Sequence, residues 1–225
     1  MGDNQWRTSD TWPPRGHDAI YYLSSSGEAP GHGALISTPP AENHSPSTFV
    51  SDPDDPVINP HESGVHDYQA LAKRRDVLTF DSAPLARDTE VTGPIRARVF
   101  ISCDCRDTDL WVRLLDVAPD GAAYNLMSPG LDAVRASYRD LSKGRQLLTP
   151  QRVYEIPLDN LVTSNLFRRG HRVRIQISAT FFPNFSRNLH TGDLETVSAR
   201  RQRATIRVYH DRAHPSQVSL HVVDR

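Results

Sequence analysis

No apolar stretch of this chain approaches the roughly 20 residues that a membrane-spanning helix requires. Residues 1–15 hold no apolar h-region, so no signal peptide is expected. A surplus of charge is missing too. The 26 Lys and Arg against 27 Asp and Glu leave a net charge of −1, with no overall pull toward nucleic acid or an anionic membrane. The expectation is a cytoplasmic protein with no nucleic-acid and no membrane partner. Cysteine is scarce: Cys103 and Cys105 stand two apart. On a strand both project from one face, a poor geometry for a disulfide, and two ligands are too few for a metal. We expect two buried thiols in a reducing compartment, no metal and no cofactor.

Helical patterning is also sparse. Only Ala70–Arg74 and Leu194–Arg203 suit a short turn or helix, and no β-α-β alternation suggests a parallel sheet. Period-two alternation is plentiful instead. Ile95, Ala97, Val99, Ile101 and Cys103 alternate with Arg96, Arg98, Phe100 and Ser102. Leu110, Val112 and Leu114 do the same, as do Val173, Ile175 and Ile177, Ile206 and Val208, and Val218, Leu220 and Val222. Turn residues separate these runs: Thr92-Gly93-Pro94, Pro119-Asp120-Gly121, Ser128-Pro129-Gly130, Arg169-Gly170 and His214-Pro215. The pattern predicts an all-β, antiparallel β-sandwich of jelly-roll type with long irregular loops. Its charged alternate positions should face water. Val99, Ile101, Val112, Leu114, Val173, Ile175, Ile177, Val208 and Leu220 should share one core.

A single domain is expected over residues 1–225. Residues 1–18 form an entry segment carrying Trp6 and Trp12. Residues 24–67 form a loop-rich insertion, with short strands at Ala34–Ile36 and Thr48–Val50 and a further one at Ile20–Leu23. So long an irregular stretch is uncommon unless it packs on something or serves a site.

Serine catalysis on an α/β-hydrolase sheet needs a Gly-x-Ser-x-Gly elbow between strand and helix. Ser26-Gly27, Ser63-Gly64 and Ser128-Pro129-Gly130 all lack the leading glycine, and no catalytic residue is assigned. His210 and His214 are four apart, a metal-binding spacing only on a helix, and their surroundings read as a strand exit. His61, Glu62 and His66 are candidates to line a substrate cleft; the alternative is a solvated loop. Asp107, Asp109, Asp116 and Asp120 cluster around one strand. Calcium would need six or more oxygens from a shaped loop. The favoured reading has Asp107 and Asp109 bonding loop amides, with Asp120-Gly121 as a turn. Arg200, Arg201 and Arg203 suit a phosphate patch or, by default, a solvated segment.

Taken in order, these pieces resemble one family along the whole chain. They are Met1-Gly2-x-Asn4-x-Trp6-Arg7, Trp12-Pro13, Asp52-Pro53-x-Asp55-Pro56-Val57, Arg75-Asp76-Val77-Leu78 and Glu90-Val91-Thr92-Gly93-Pro94. There follow Asp107-Thr108-Asp109 through Gly121, Arg135-x-x-Tyr138-Arg139, and Thr163-Ser164-Asn165-x-Phe167-x-x-Gly170-His171-Arg172. Phe182-Pro183-x-Phe185-x-x-Asn188-x-x-Thr191-Gly192 and His214-Pro215-Ser216 close the series. The chain resembles the C-terminal domain of the CocE/NonD hydrolase and X-Pro dipeptidyl-peptidase family.

That resemblance implies a galactose-binding-like jelly roll packed on an α/β-hydrolase catalytic domain, its partner. Asp107, Asp109, Asp120, Gly121, Gly170 and His171 are then structural motif residues. The family's catalytic triad lies outside the matching region, so whether the chain itself is an enzyme stays open. In the family the Met-Gly-x-Asn-x-Trp segment is internal. A truncated frame, a split gene and a free-standing protein are the alternatives. The loop at Ile58–Asp67 is short and polar where relatives carry a Gly-Gly pair, so their acyl preference is not carried over. The implied role is to shape a substrate cleft and stabilise a hydrolase. Residues 1–14 and 57–67, with Trp6, Trp12, Val57, Ile58 and Val65, are expected to form its docking face. The alternative is a free-standing carbohydrate- or ligand-binding module, and a homo-oligomer is left open.

Overall fold

The computed structural model describes residues 1–26, 31–61, 64–126 and 133–224. Twelve strands are built. They are β1 Gly16–Ser24, β2 His32–Ile36, β3 Ser47–Ser51, β4 Leu78–Asp81, β5 Thr89–Cys103 and β6 Asp109–Val117. Then come β7 Ala123–Asn125, β8 Ala133–Arg135, β9 Tyr154–Phe167, β10 Arg172–Ser178, β11 Ala204–Tyr209 and β12 Gln217–Val223. Short 3-10 turns are the only helical elements among the described residues, and none is long and apolar enough to cross a membrane.

The hydrogen-bonded path runs β3-β11-β5-β12-β1-β2-β4-β10-β6-β7, with β8 on β6 and β9 on β5. It folds into two layers. One is centred on β5, whose 15 residues pair with β9 on one side and with β11 and β12 on the other. The second holds β6 between β10 and the short β7 and β8. All nine expected core residues are buried in one cluster between the layers. The β-branched residues at these positions suit a pleated, half-buried surface.

Several expectations are corrected. The pairing is antiparallel except between β2 and β4, which run parallel. The 14-residue β9 had no clear signature because Pro157 and a bulge interrupt its alternation. Between Ile95 and Ala97 of β5 the partner on β9 moves from Leu161 to Leu158, so β9 carries one extra residue there. Proline is tolerated because β9, among the described residues, pairs only with β5 and is an edge strand. Leu194–Arg203 forms no helix, only a turn in which the Val197 and Ser198 amides donate to the Leu194 carbonyl.

Cys103 and Cys105 are joined in a disulfide, not two free thiols. The chain leaves strand geometry after Cys103, which brings the two Cα atoms to 5.2 Å, inside the range a disulfide spans.

Arg113 does not face water. The outer face of β6 carries a second cluster of Trp111, Leu115 and Val117, covered by Val57, Tyr68, Leu71 and Val77. The arginine is buried beneath that cover, its guanidinium carbon 3.6 Å from the Trp111 ring centre and 4.1 Å from that of Phe181.

Candidate functional site

The acidic cluster at the start of β6 is a buried polar network. Asp107 lies where the chain enters β6. Its carboxylate accepts from the Thr108 amide at 3.0 Å, the Ser137 amide at 3.1 Å and the Ser137 hydroxyl at 2.7 Å. Two residues on, Asp109 accepts from Arg135 Nε at 2.9 Å and from Asn188 Nδ2 at 2.9 Å. The Arg135 fork also reaches Glu195, with Nη2 to Oε1 at 2.7 Å and Nη1 to Oε2 at 2.9 Å. One guanidinium thus spans two carboxylates and ties β6 and β8 to the loop at 181–199.

Burial pushes the Asp109 carboxyl above the usual aspartate range despite the hydrogen bonds from Arg135 and Asn188. Burial also opposes the charges of Arg135 and Glu195. The bonds of Arg135 to Asp109 and Glu195 win, raising Arg135 and, with the Ser186 hydroxyl, bringing Glu195 down to about 2. A cavity of about 190 Å³ adjoins this network, lined by Trp111, Phe181 and Phe185 and by Asp109, Arg135 and Ser186.

Sequence reasoning missed Asn188, His190 and Glu195, which lie in or beside the Phe182–Gly192 motif. His190 is fully buried in the left-handed region at φ 61°. Its Nδ1 is 3.2 Å from the Asp107 carbonyl and its Nε2 is 3.0 Å from the Ser51 hydroxyl. Burial holds it below the ordinary histidine value.

The remaining motif residues sit in two turns. Asp120 accepts from the Ala122 amide at 3.1 Å, and Gly121 takes φ 94° in the same turn. Gly170 takes φ 84° ahead of β10, which places His171 Nδ1 2.7 Å from Asp116. The other oxygen of Asp116 accepts from Asn165 at 3.0 Å. This carboxylate–imidazole pair has the spacing of a catalytic dyad, yet among the described residues no serine hydroxyl is bonded to His171.

His61 and His66 are brought together, stacked with ring centres 4.2 Å apart, and His61 meets Tyr68 edge-on at 4.9 Å. Glu62 lies outside the described residues, as do the turn at Ser128-Pro129-Gly130 and the Ser26-Gly27 and Ser63-Gly64 pairs in part. His210 and His214 stand on the β11–β12 connection, where Asp211 accepts from the His214 amide at 2.8 Å. Among the described residues no three His, Cys, Asp or Glu side chains group to hold a metal. Arg200, Arg201 and Arg203 each pair with an aspartate, namely Asp193, Asp54 and Asp52.

The expected docking face divides. Val57 is buried in the second cluster, whereas Ile58, Val65, Trp6 and Trp12 are exposed. Residues 1–14 lie over β5 and β9 and border a cleft of about 1000 Å³, walled by Trp6, Trp12, Glu90, Thr92 and Ser164.

The fold and its polar clusters define a β-sandwich of jelly-roll type whose loops are tied to its strands. The chain belongs to the X-Pro dipeptidyl-peptidase C-terminal non-catalytic domain family, whose model matches residues 1–219. It is 34% identical to the cocaine esterase of Rhodococcus sp. (strain MB1 Bresler) over 241 residues, covering 100% of this chain and 41% of the esterase. A solved aminopeptidase from the marine sediment archaeon Thaumarchaeota archaeon superposes with a TM-score of 0.87 and 29% identity, over 100% of this chain and 39% of that one. An α-amino acid ester hydrolase structure gives 0.85 at 27% identity, over 98% of this chain and 40% of that one. The chain therefore spans about two fifths of the length of these relatives.

Proposed function

We propose that this chain is the cleft-shaping and stabilising β-sandwich of a serine hydrolase of the ester, amide or X-Pro dipeptide class. Its partner is an α/β-hydrolase catalytic domain, in the same polypeptide or a separate one. The observation that carries this reading is the exposure of Trp6, Trp12, Ile58 and Val65 on the two segments that border the sandwich. Indole and aliphatic groups of this size mark an interface where they gather in one exposed patch. In this reading the stacked His61 and His66 stand at the rim of the cleft, and the Asp109–Arg135–Glu195 network holds the framework behind it.

A chimera tests the assignment. The C-terminal two fifths of the Rhodococcus esterase is replaced by this chain, and p-nitrophenyl ester turnover is followed. We expect a folded chimera that turns over ester, with activity that falls on Trp6→Ala or Trp12→Ala. A folded chimera indifferent to both substitutions rejects the docking face. The isolated chain is expected to turn over neither p-nitrophenyl esters nor Ala-Pro-p-nitroanilide and to resist a fluorophosphonate probe. Stoichiometric labelling of a serine overturns that part.

Cytoplasmic residence is the expectation that the Cys103–Cys105 disulfide weighs against, and the bond sets its test, since such bonds persist mainly in oxidising compartments. Thiol counting on denatured protein taken directly from its host should find two thiols if the chain lives in the cytoplasm, and none if it does not.

A second reading rests on the cleft bordered by Trp6 and Trp12. Two exposed indoles beside Asn4, Gln5, Asp10 and Glu90 offer the stacking surface and polar groups that a sugar ring requires. Saturable binding of a neutral oligosaccharide, lost in Trp6→Ala, would favour this reading over the first.

A further inference from the structure

The entry segment is held to the sandwich at few points. The Leu166 amide donates to the Met1 carbonyl at 3.2 Å, and Gly2 packs against the backbone of Leu166. Arg7 pairs with Asp3 and lies 3.7 Å from Glu90. Where the segment turns into β1, the Asp224 amide donates to the Arg15 carbonyl at 3.1 Å, and one side chain, His221, holds the residue before it. His221 of β12 is 8% exposed. Its Nε2 lies 2.8 Å from the Pro14 carbonyl and its Nδ1 lies 2.9 Å from Asp18 on β1.

Both of those partners are acceptors only. A peptide carbonyl has no proton to give, and neither has an ionised carboxylate. A neutral imidazole carries one N–H and satisfies one of the two; an imidazolium carries two and satisfies both. The base of the ring is closely packed. Gly93 on β5 presses against His221 Cβ and Cγ and against Pro13, so closely that any β-carbon at position 93 would collide with them. Gly16 closes on the Nε2 edge in the same way.

We propose that His221, as an imidazolium, latches the entry segment onto the sandwich, and that rising pH opens the latch. The charged groups around the ring agree in sign. Asp18 of β1 touches it, and Asp224 beyond β12 adds a second negative charge while itself bonded to His17 at 3.1 Å. Arg96 of β5 reaches the far oxygen of Asp18 at 3.4 Å and is a cation on this group. Burial works against the charge of His221, but the bonds to Asp18 and Pro14 outweigh it and raise its pKa overall. The raised value fixes the sense of the switch. The latch is fully closed below the ordinary histidine pKa of about 6.5 and is lost as pH climbs through the higher folded-state value. That the released segment then docks differently rests on the function proposed above; the latch itself does not.

Long-range proton–nitrogen NMR on the full chain reads the protonation state of His221 directly, with assignment by loss of the signal in His221→Gln. Both ring nitrogens should be protonated near pH 6, with a midpoint above about 6.5. A single-proton tautomer at that pH, or a midpoint at or below the ordinary value, overturns the proposal. Amide exchange of residues 4–14 is followed in parallel from about pH 5 to 9. Beyond the intrinsic pH dependence, protection should fall about tenfold through the same midpoint, the equivalent of one hydrogen bond to a charged group. His221→Gln should lack that step, Asp18→Asn should move it to lower pH, and His17→Gln should leave it in place. A step that persists unchanged in both His221→Gln and Asp18→Asn sinks the latch. Should His221→Gln fail to fold, Asp18→Asn alone carries the test, since Asp18 is exposed. None of these measurements needs a catalytic partner, so a working latch in a chain that fails the chimera assay separates the two ideas.

Discussion

Residues 52–77 and residues 1–15 are both irregular, and both carry apolar side chains at scattered positions, yet the sandwich treats them differently. The first is sewn in. The Val57 amide donates to the Thr180 hydroxyl at 2.8 Å, the Phe182 amide donates to the Val57 carbonyl at 2.8 Å, and the Tyr68 amide donates to the Ala123 carbonyl at 2.8 Å. Asp67 caps the Gln69 and Ala123 amides at 2.8 Å each. Val57, Tyr68 and Leu71 then complete the second apolar cluster over β6. Residues 1–15 make few such bonds and keep Trp6 and Trp12 in water. What separates the two is the surface beneath. The outer face of β6 offers Trp111, Leu115 and Val117, whereas the part of β5 and β9 under the entry segment offers Glu90, Thr92 and Ser164. An irregular segment becomes core when the strand below it is apolar on both faces.

If that is right, substitutions in the two segments should differ sharply. Leu71→Ala should cost about 2–5 kcal/mol in a denaturant melt, the range for a buried leucine. A loss near zero would mean that the second cluster is ornamental. Glu195 extends the same stitching through the 181–199 loop. Its carboxyl is held near 2 against an ordinary value of 4.5, so its contribution is complete above pH 4.5 and drains away as pH falls toward 2. Melts across that window should lose on the order of 2 kcal/mol in the parent, and Glu195→Gln should flatten the slope. Asp67→Ala leaves two loop amides without their acceptor and should cost about 1–2 kcal/mol. Trp6→Ala should shift the melt by less than about 0.5 kcal/mol, as exposed positions do. A larger loss there would show that the entry segment is as firmly built as the loop.

Much of the architecture was legible in the sequence, because β5, β6, β10, β11 and β12 alternate cleanly and their inward residues all reach one core. What escaped notice did so for local reasons. In β9, Pro157 and the bulge break the period, and β4 has only four residues. Arg113 was expected in water because alternation reports which face a residue takes, not whether a loop from 50 residues earlier covers that face. At the polar network, Asp107 and Asp109 stood out as a cluster, and Arg135 lay in a quoted motif. Their pairing with Asn188, which lay in another quoted motif, and with Glu195 did not, because these residues meet them across 79 and 60 residues of chain. The arginines at 200–203 read as a run of charge, and only the fold reveals that Asp52 and Asp54 neutralise two of them.

The double pairing of β5 also governs the order in which this sandwich can be made. Its neighbours β9, β11 and β12 all follow it in the chain, and β1, near the beginning, waits for β12 before it has a partner on that side. As the polypeptide leaves the ribosome, β3, β5 and β6 emerge before any of their partners, and closure around β1 and β5 depends on β12. Folding of this kind is slow, and its intermediates expose unpaired strand edges. Truncation within residues 217–223 would therefore strand β1 and β5 together, and the expected product is aggregate rather than a slightly weakened domain.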